Sequence, residues 1–287
     1  MSVDAPRHHI DVVVFESPLV RVGRWRCPAA HPIFQDSGPS SDSLFVFPRD
    51  SVWIQHEGGT AFVADANTVT YYNKGQRYTR RRLSSAGDRC DWFAVTPDAL
   101  AGTLAIHDPA ALDRPDVPFS FTHGPSDAST YLRQRTVFEH VTREPNPDRL
   151  FVEESVMSVL GDVAGLAYAR ASRPAPSRQR SSRDVDASEA SRDVIACRFR
   201  ENLSLTEIAR AVGTSVFHLA RVFRERTGCS LHAYRTQLRM KAALERIAGS
   251  TDLVAIALDL GFSSHSHFTE TFRRTFGRPP SVVRRTF

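Results

Sequence analysis

Two short runs in the last third of this 287-residue chain carry side chains suited to contacting a polyanion and the edges of bases. One is Ser215-Val216-Phe217, followed by Ala220, Arg221 and Arg224. The other is Ser264-His265-Ser266-His267, followed by Glu270 and then Arg273 and Arg274. An arginine can make two parallel hydrogen bonds to guanine O6 and N7, which makes Arg221 the best base reader of the set. Serine and histidine offer short polar groups to base edges or phosphate, and Phe217 suits a sugar or a thymine methyl. The remaining arginines neutralise phosphate, which positions a protein on a duplex without reading sequence. His265 and His267 invite a metal reading, but residues two apart on a helix do not share a face. No metal, cofactor or catalytic residue is expected.

The two runs sit inside a near-repeat. Residues 207–228 read EIARAVGTSVFHLARVFRERTG and residues 255–277 read AIALDLGFSSHSHFTETFRRTFG. Gly213 matches Gly261, Leu219 matches Phe268, Phe223 matches Phe272, and Gly228 matches Gly277. Each copy implies a helix, a glycine turn and a basic second helix, the helix-turn-helix order whose second helix enters a major groove. Ser204 or Thr206 is expected to cap the helix before the first turn, Thr214 or Ser215 the helix after it, and Ser263 or Ser264 its counterpart. Between the copies, residues 230–248 predict a connecting helix, with Leu231, Tyr234 and Leu238 inside and Arg235, Arg239 and Lys241 forming a basic side. Two matched surfaces suit a partner that repeats along its length, as duplex DNA does every ~34 Å.

Charge is distributed to match. Residues 171–287 hold 20 Lys and Arg against 11 Asp and Glu, whereas the rest holds 17 against 21. Basic clustering of this kind is the footprint of a polyanion binder. The four cysteines, Cys27, Cys90, Cys197 and Cys229, have no zinc or disulfide spacing, so reduced thiols in a cytoplasmic protein are expected. The N-terminus lacks a signal-peptide pattern, and no apolar run reaches the ~18 residues of a membrane span.

The front of the chain reads as short strands over 10–15, 19–26, 44–47, 52–55, 60–64, 68–72 and 91–95, the spacing of a sandwich or barrel. Helices follow over 97–107, opened by Thr96-Pro97-Asp98, then over 126–143 and 147–170. The last carries a stripe of Leu150, Val156, Leu160, Val163 and Leu166, which either packs on the β domain or forms a dimer seam. Residues 172–191 are rich in Ser, Arg and Pro and read as a linker. The expected order is a β sensor domain (1–125), a helical dimerisation region (126–170), a linker (171–191) and a DNA-binding domain (192–287).

The segment SLTEIARAVGTSVFHLARVFRERTGCSLHAYRTQLRMKAAL, together with IALDLGFSSHSHFTETFRRTFGRPPSVVRR, resembles the AraC/XylS-type transcriptional regulators over roughly residues 193–285. The resemblance implies an α+β chain: an N-terminal cupin-like β-barrel with following helices, and a C-terminal all-α domain of two helix-turn-helix units joined by a long helix. It places DNA contacts at Ser215, Phe217, Ala220 and Arg221 and at His265, Ser266, His267 and Glu270. Ala220 and Glu270 stand where longer polar or basic readers are usual, and Val282-Val283 where an aromatic is usual. The partners implied are promoter DNA, a second copy of the chain, RNA polymerase and a small-molecule effector. An effector pocket would be lined by Trp25, Trp53, Tyr71, Tyr72 or Trp92, for which core packing is the competing role. The run Arg80-Arg81-Arg82 is expected at the surface. The cupin metal pattern is absent, with His31 and His56 standing alone. Two rival readings are a barrel enzyme with a helical accessory domain and an effector-independent DNA-binding dimer.

Overall fold

Runs of β-branched and aromatic residues form the strands of the front unit, because such side chains pack well on a pleated surface. In the computed structural model, which describes residues 10–172, 182–249 and 252–287, the chain divides into two units after Ser172. The front unit contains β1 (Asp11–Glu16), β2 (Val20–Cys27), β3 (Leu44–Pro48), β4 (Val52–His56), β5 (Phe62–Ala64), β6 (Thr68–Tyr72), β7 (Tyr78–Arg82), β8 (Asp88–Val95) and β9 (His123–Pro125). Its helices are α1 (Pro97–Ala105), α2 (Ala128–Arg143) and α3 (Arg149–Ala171). One antiparallel sheet runs β1-β2-β8-β3-β6-β9 and a second runs β5-β4-β7. Among the described residues the expected barrel is therefore two sheets with separate end strands and not a closed ring. Each of the seven expected strands overlaps an observed one. β7 and β9 lie outside the expected runs, the first because it is arginine-rich and the second because it is three residues containing Gly and Pro. The Thr96 hydroxyl does not cap α1; Pro97 opens the helix, and the Leu100 amide bonds to the Thr96 carbonyl at 2.9 Å.

Phe45, Phe47 and Phe93 pack ring against ring at 5.4–6.3 Å in the core of the larger sheet. α3 turns Val156, Leu160 and Val163 fully inward. The Tyr71 hydroxyl of β6 donates to the Val163 carbonyl at 3.0 Å. Gly124 of β9 lets the helix close in, since a Cβ there would stand 3.0 Å from the Ala167 methyl. Most of the α3 stripe thus packs on its own unit, and Leu150 is the member left exposed. α2 is tied to the sheet by Arg135, which donates to the buried Asp91 carboxylate at 2.7 Å.

The second unit holds α4 (Ser182–Arg198), α5 (Leu205–Ala211), α6 (Val216–Thr227), α7 (Leu231–Ile247), α8 (Leu253–Asp259), α9 (His265–Phe276) and α10 (Pro280–Val283). Residues 182–191, expected in the linker, instead form the first half of α4, where Ser188, Glu189 and Ser191 are buried. Residues 173–181 of that linker, and the N-terminal residues 1–9, lie outside the described residues. α5–α6 and α8–α9 are the two helix-turn-helix units, turned by Gly213 (φ +67°) and Gly261 (φ +79°). Leu219, Val222 and Phe223 face inward from α6, as Phe268, Phe272 and Phe276 do from α9. Val283 of α10 is buried. Among the described residues no helix is long and apolar enough to cross a membrane.

The expected basic side of α7 is buried: Arg235, Arg239 and Lys241 all lie inside the unit. Arg239 donates from Nε to the Phe199 carbonyl at 2.6 Å, from Nη1 to Gly261 at 2.9 Å, and from Nη2 to Glu201 at 2.8 Å. Arg235 donates to the Leu203 carbonyl at 2.9 Å. These carbonyls follow the end of α4 and occupy the second turn, where a helical chain leaves acceptors without regular partners.

The two turn glycines are under different constraints. At Gly213 nothing lies within 4 Å of an added Cβ, whereas at Gly261 it would meet the Arg200 carbonyl oxygen at 2.0 Å. Gly213→Ala should therefore cost about 1–2 kcal/mol, from the left-handed backbone alone. Gly261→Ala should cost on the order of 3–5 kcal/mol, because the backbone must also move. Denaturant unfolding of both variants checks this, and equal losses would refute the contact as the cause. A second expectation concerns His56, whose ring is buried and whose pKa burial pulls down to about 4. The unfolded chain takes up its proton near 6.5, so stability is retained at neutral pH and lost as pH falls from 6.5 towards 4. Between pH 7 and 4.5 the native protein should lose about 2–3 kcal/mol more than His56→Phe, read from denaturation at the two pH values.

Candidate nucleic-acid interface

The second helices of the two units, α6 and α9, start alike. Ser215 Oγ accepts from the His218 amide at 3.2 Å, and Ser264 Oγ accepts from the His267 amide at 3.1 Å. Both serines are N-caps, which satisfies one of the free amides of each first turn and aims the helix end outward. α5 opens on a capping box, with Ser204 and Glu207 bonding reciprocally. Of each expected pair of caps, Ser204, Ser215 and Ser264 are the ones used.

With the apolar face of each helix turned inward, the expected readers come to the surface. Ser215, Phe217, Arg221 and Arg224 are exposed on α6, and Ala220 is half-buried. Phe217 is 89% exposed, which no packing role explains. Ser264, His265, Ser266, His267, Glu270 and Arg274 are exposed on α9. Ala220 and Arg224 border a cleft of about 370 Å³ that Leu205, Ile208, Leu231 and His232 also line. His267 packs edge-on against Phe262 at 5.3 Å. Among the described residues no group of three or more His, Cys, Asp or Glu side chains could hold a metal.

Both faces carry an intrahelical ion pair. Arg221 donates to Glu225 at 2.9 Å, one turn on, and Arg273 donates to Glu270 at 2.9 Å. The Arg273 hydrogen bond holds the Glu270 carboxyl below its ordinary pKa, so it is ionised on the outer face of α9. Arg221 also lies within 3.5 Å of His218 Nδ1, and His218 Nε2 lies 3.1 Å from Asp184 of α4.

In the front unit the expected pocket aromatics separate. Trp25 and Trp92 line one cavity of about 110 Å³. Tyr71 does not; it is fully buried against α3. Trp53 does not line it either and stacks on Arg81 at 4.8 Å. The cavity's other walls include Tyr72, Tyr78, Arg80 and Asp88. Arg80 is buried, contrary to the expectation that the arginine run lies at the surface. The two-residue strand period turns Arg80 inward, where it meets Asp88, and Arg81 outward; Arg82 shares the face of Arg80 but stands exposed at the end of β7.

Residues 208–286 match a family model described as a helix-turn-helix domain. The chain is 34% identical over 85 residues to the probable transcription factor PqrA of Proteus vulgaris, covering 29% of this chain and 70% of that protein. It is 34% identical over 85 residues to the right origin-binding protein of Escherichia coli (strain K12), covering 29% of each. It is 39% identical over 85 residues to the HTH-type transcriptional regulator GlxA of Rhizobium meliloti (strain 1021), covering 29% of this chain and 26% of that one. The chain thus spans less than a third of the length of the last two relatives. Among solved structures, ToxT from Vibrio cholerae O395 is similar over 94% of this chain and 98% of its own, at 14% identity and a TM-score of 0.35.

The charge on α9 yields a direct test. Glu270→Gln removes a negative charge from the outer face and releases Arg273. Binding to duplex DNA should tighten, and the slope of log affinity against log salt should steepen by about one unit. Fluorescence anisotropy across a salt series reads both, and an unchanged slope and affinity would place Glu270 and Arg273 away from the DNA.

Proposed function

The chain belongs to the AraC/XylS-type transcriptional regulators, and from that membership we propose that it is a sequence-specific DNA-binding regulator acting on promoter DNA in the cytoplasm. α6 and α9 enter successive major-groove segments. The arginines at their flanks neutralise phosphate, and Arg221 with the stretch from His265 to His267 reads bases. The front unit senses a small effector, and two copies pair. The Leu150 and Phe151 positions left exposed on α3 support a pairing surface there. Contact with RNA polymerase completes the reading, and no catalytic role is assigned.

The observation that carries this reading is the matched presentation of the two second helices. Each is capped by a serine, ended by a left-handed glycine (Gly228 at φ +80°, Gly277 at +75°), and packed by two or more inward apolar residues. The same solution built twice leaves two equivalent outer faces, one of them bearing an aromatic that serves no packing purpose.

Selection of bound fragments from genomic DNA by the full chain should return a recurring site. On that site Arg221→Ala should lose about 1–3 kcal/mol of binding and relax one base position. An unchanged footprint and affinity would remove Arg221 as a reader. Failure of the full chain to retain any duplex at low salt would remove the reading altogether.

A further inference from the structure

The 110 Å³ cavity of the front unit is walled by the rings of Trp25, Tyr72, Tyr78 and Trp92, and it contains an arginine. The Arg80 side chain is 1% exposed. Its Nη1 donates to Asp88 at 2.7 Å. Among the described residues, Nε and Nη2, the two donors of its other edge, have no hydrogen-bond partner, and neither does Nε1 of Trp25 beside it. The guanidinium carbon lies 4.5 Å from the Trp25 ring centroid and 5.4 Å from that of Tyr78. A buried cation that leaves one whole edge unbonded is unusual, since desolvation of those donors is not returned by any acceptor. Arg89 shows what that edge does when it is satisfied. There Nε and Nη2 donate to the two oxygens of the Asp50 carboxylate at 2.5 and 2.8 Å.

We propose that this cavity binds a small monocarboxylate, with its two oxygens on the Nε/Nη2 edge of Arg80 and its apolar body against Trp25 and Trp92. The inference rests on the effector-sensing role assigned to the front unit and names the chemical class of the effector. A planar pair of acceptors matches the fork of an arginine edge. The ring walls favour an apolar body over a fully hydrated anion. A cavity of about 150 Å³ accommodates benzene, so this smaller one favours a short aliphatic chain, and a single ring fits only by reaching out of the cavity past the exposed Asp11. Two carboxylates line the cavity besides the ligand's own. Asp11 is exposed and accepts from Trp92 Nε1 at 2.7 Å, and Asp88 already balances Arg80. A dianion such as phosphate would meet both and is disfavoured. Because Trp25 lies over the guanidinium, a carboxylate on that edge changes the surroundings of the indole.

Titration of full-length Trp53→Phe protein makes the two pocket tryptophans the only indole reporters. The probes are acetate, butyrate, benzoate, neutral benzamide and inorganic phosphate, followed by tryptophan fluorescence and calorimetry. At least one acid should give a saturable change, with benzamide at least tenfold weaker than benzoate and phosphate without effect. Arg80→Lys, which keeps the charge and loses the fork, should weaken the best acid tenfold or more. Trp25→Phe, which leaves Arg80 and Asp88 intact, should weaken it several-fold and abolish most of the fluorescence change. Where the lysine variant does not fold, the Trp25 variant and the benzoate–benzamide ratio decide. The proposal is overturned if none of the acids binds the folded chain, if benzamide matches benzoate, or if phosphate alone saturates. Duplex binding of the same sample is scored separately. Loss of acid binding with duplex binding intact sinks the ligand class alone. A melting-point rise with benzamide but no acid leaves sensing in place and removes the carboxylate.

Discussion

The Arg239 guanidinium is the constraint on which the DNA-facing unit depends. Four backbone carbonyls converge on it: those of Phe199, Arg200 and Glu201 after the end of α4, and that of Gly261 in the second turn. Helix ends and tight turns leave acceptors that no ladder can satisfy, and buried ones are costly unless a donor reaches them. A planar cation with five donors answers several of them at once. Desolvation lowers its pKa to about 10, so it stays charged at neutral pH while buried. Because Arg239 sits in the middle of α7, it fixes the corner before the first helix-turn-helix and the turn of the second against one rigid helix. The positions of α6 and α9 follow from that.

This arrangement also explains why Gly261 is a glycine for two reasons at once. Its left-handed backbone makes the turn, and its missing Cβ lets the Arg200 carbonyl come close enough for both residues to share Arg239. Gly213, in the same place in the first unit, faces open space. The two units are therefore alike in their outward faces and different in how they are anchored, which a repeat read only from its matching letters conceals.

Much of the helical unit was legible in the sequence because its signals are local. Caps, turn glycines and the inward spacing of Leu219, Phe223, Phe268 and Phe272 each depend on neighbours within a few residues. What could not be read was where charges point when long-range partners decide it. Arg235, Arg239 and Lys241 have the letters of a solvated basic face, and only carbonyls some 20–40 positions away, bonded by the two arginines, draw the helix face inward. Arg80 was misplaced for the same reason, since its partner Asp88 lies across a strand connection. β7 was missed because three consecutive arginines hide its strand period. Half of α4 was missed because Ser and Asp are poor helix formers, and the burial of Ser188, Glu189 and Ser191 against the rest of the unit outweighs that propensity. In the pocket, aromatic content alone did not separate Trp25 and Trp92 from Tyr71, which serves α3, or from Trp53, which serves Arg81.

The reading surface holds its charges in a form suited to exchange. Arg221 lies between His218 and the Glu225 carboxylate, and His218 in turn faces Asp184, so the arginine belongs to a short chain of polar contacts on one helix face. An exposed pair of this kind is worth only about 0–1 kcal/mol, because water competes for both partners. In the proposed contact, giving up Glu225 for guanine O6 and N7 therefore loses little, while the bidentate pair gains discrimination of about 1–3 kcal/mol against a wrong base. The Glu225 pairing keeps the side chain extended along α6 before contact, which reduces the rotamer freedom that binding must remove. Arg273 with Glu270 repeats the device on α9, but there the acid precedes the base and lies nearer the start of the helix. On the proposed reading, the first unit thus offers a cation at that height of the helix, whereas the second presents a carboxylate there and its arginines further along. The proposed reading therefore carries a division of labour, with base reading weighted to α6 and phosphate anchoring to α9, that rests on the order of two residues on one helix turn.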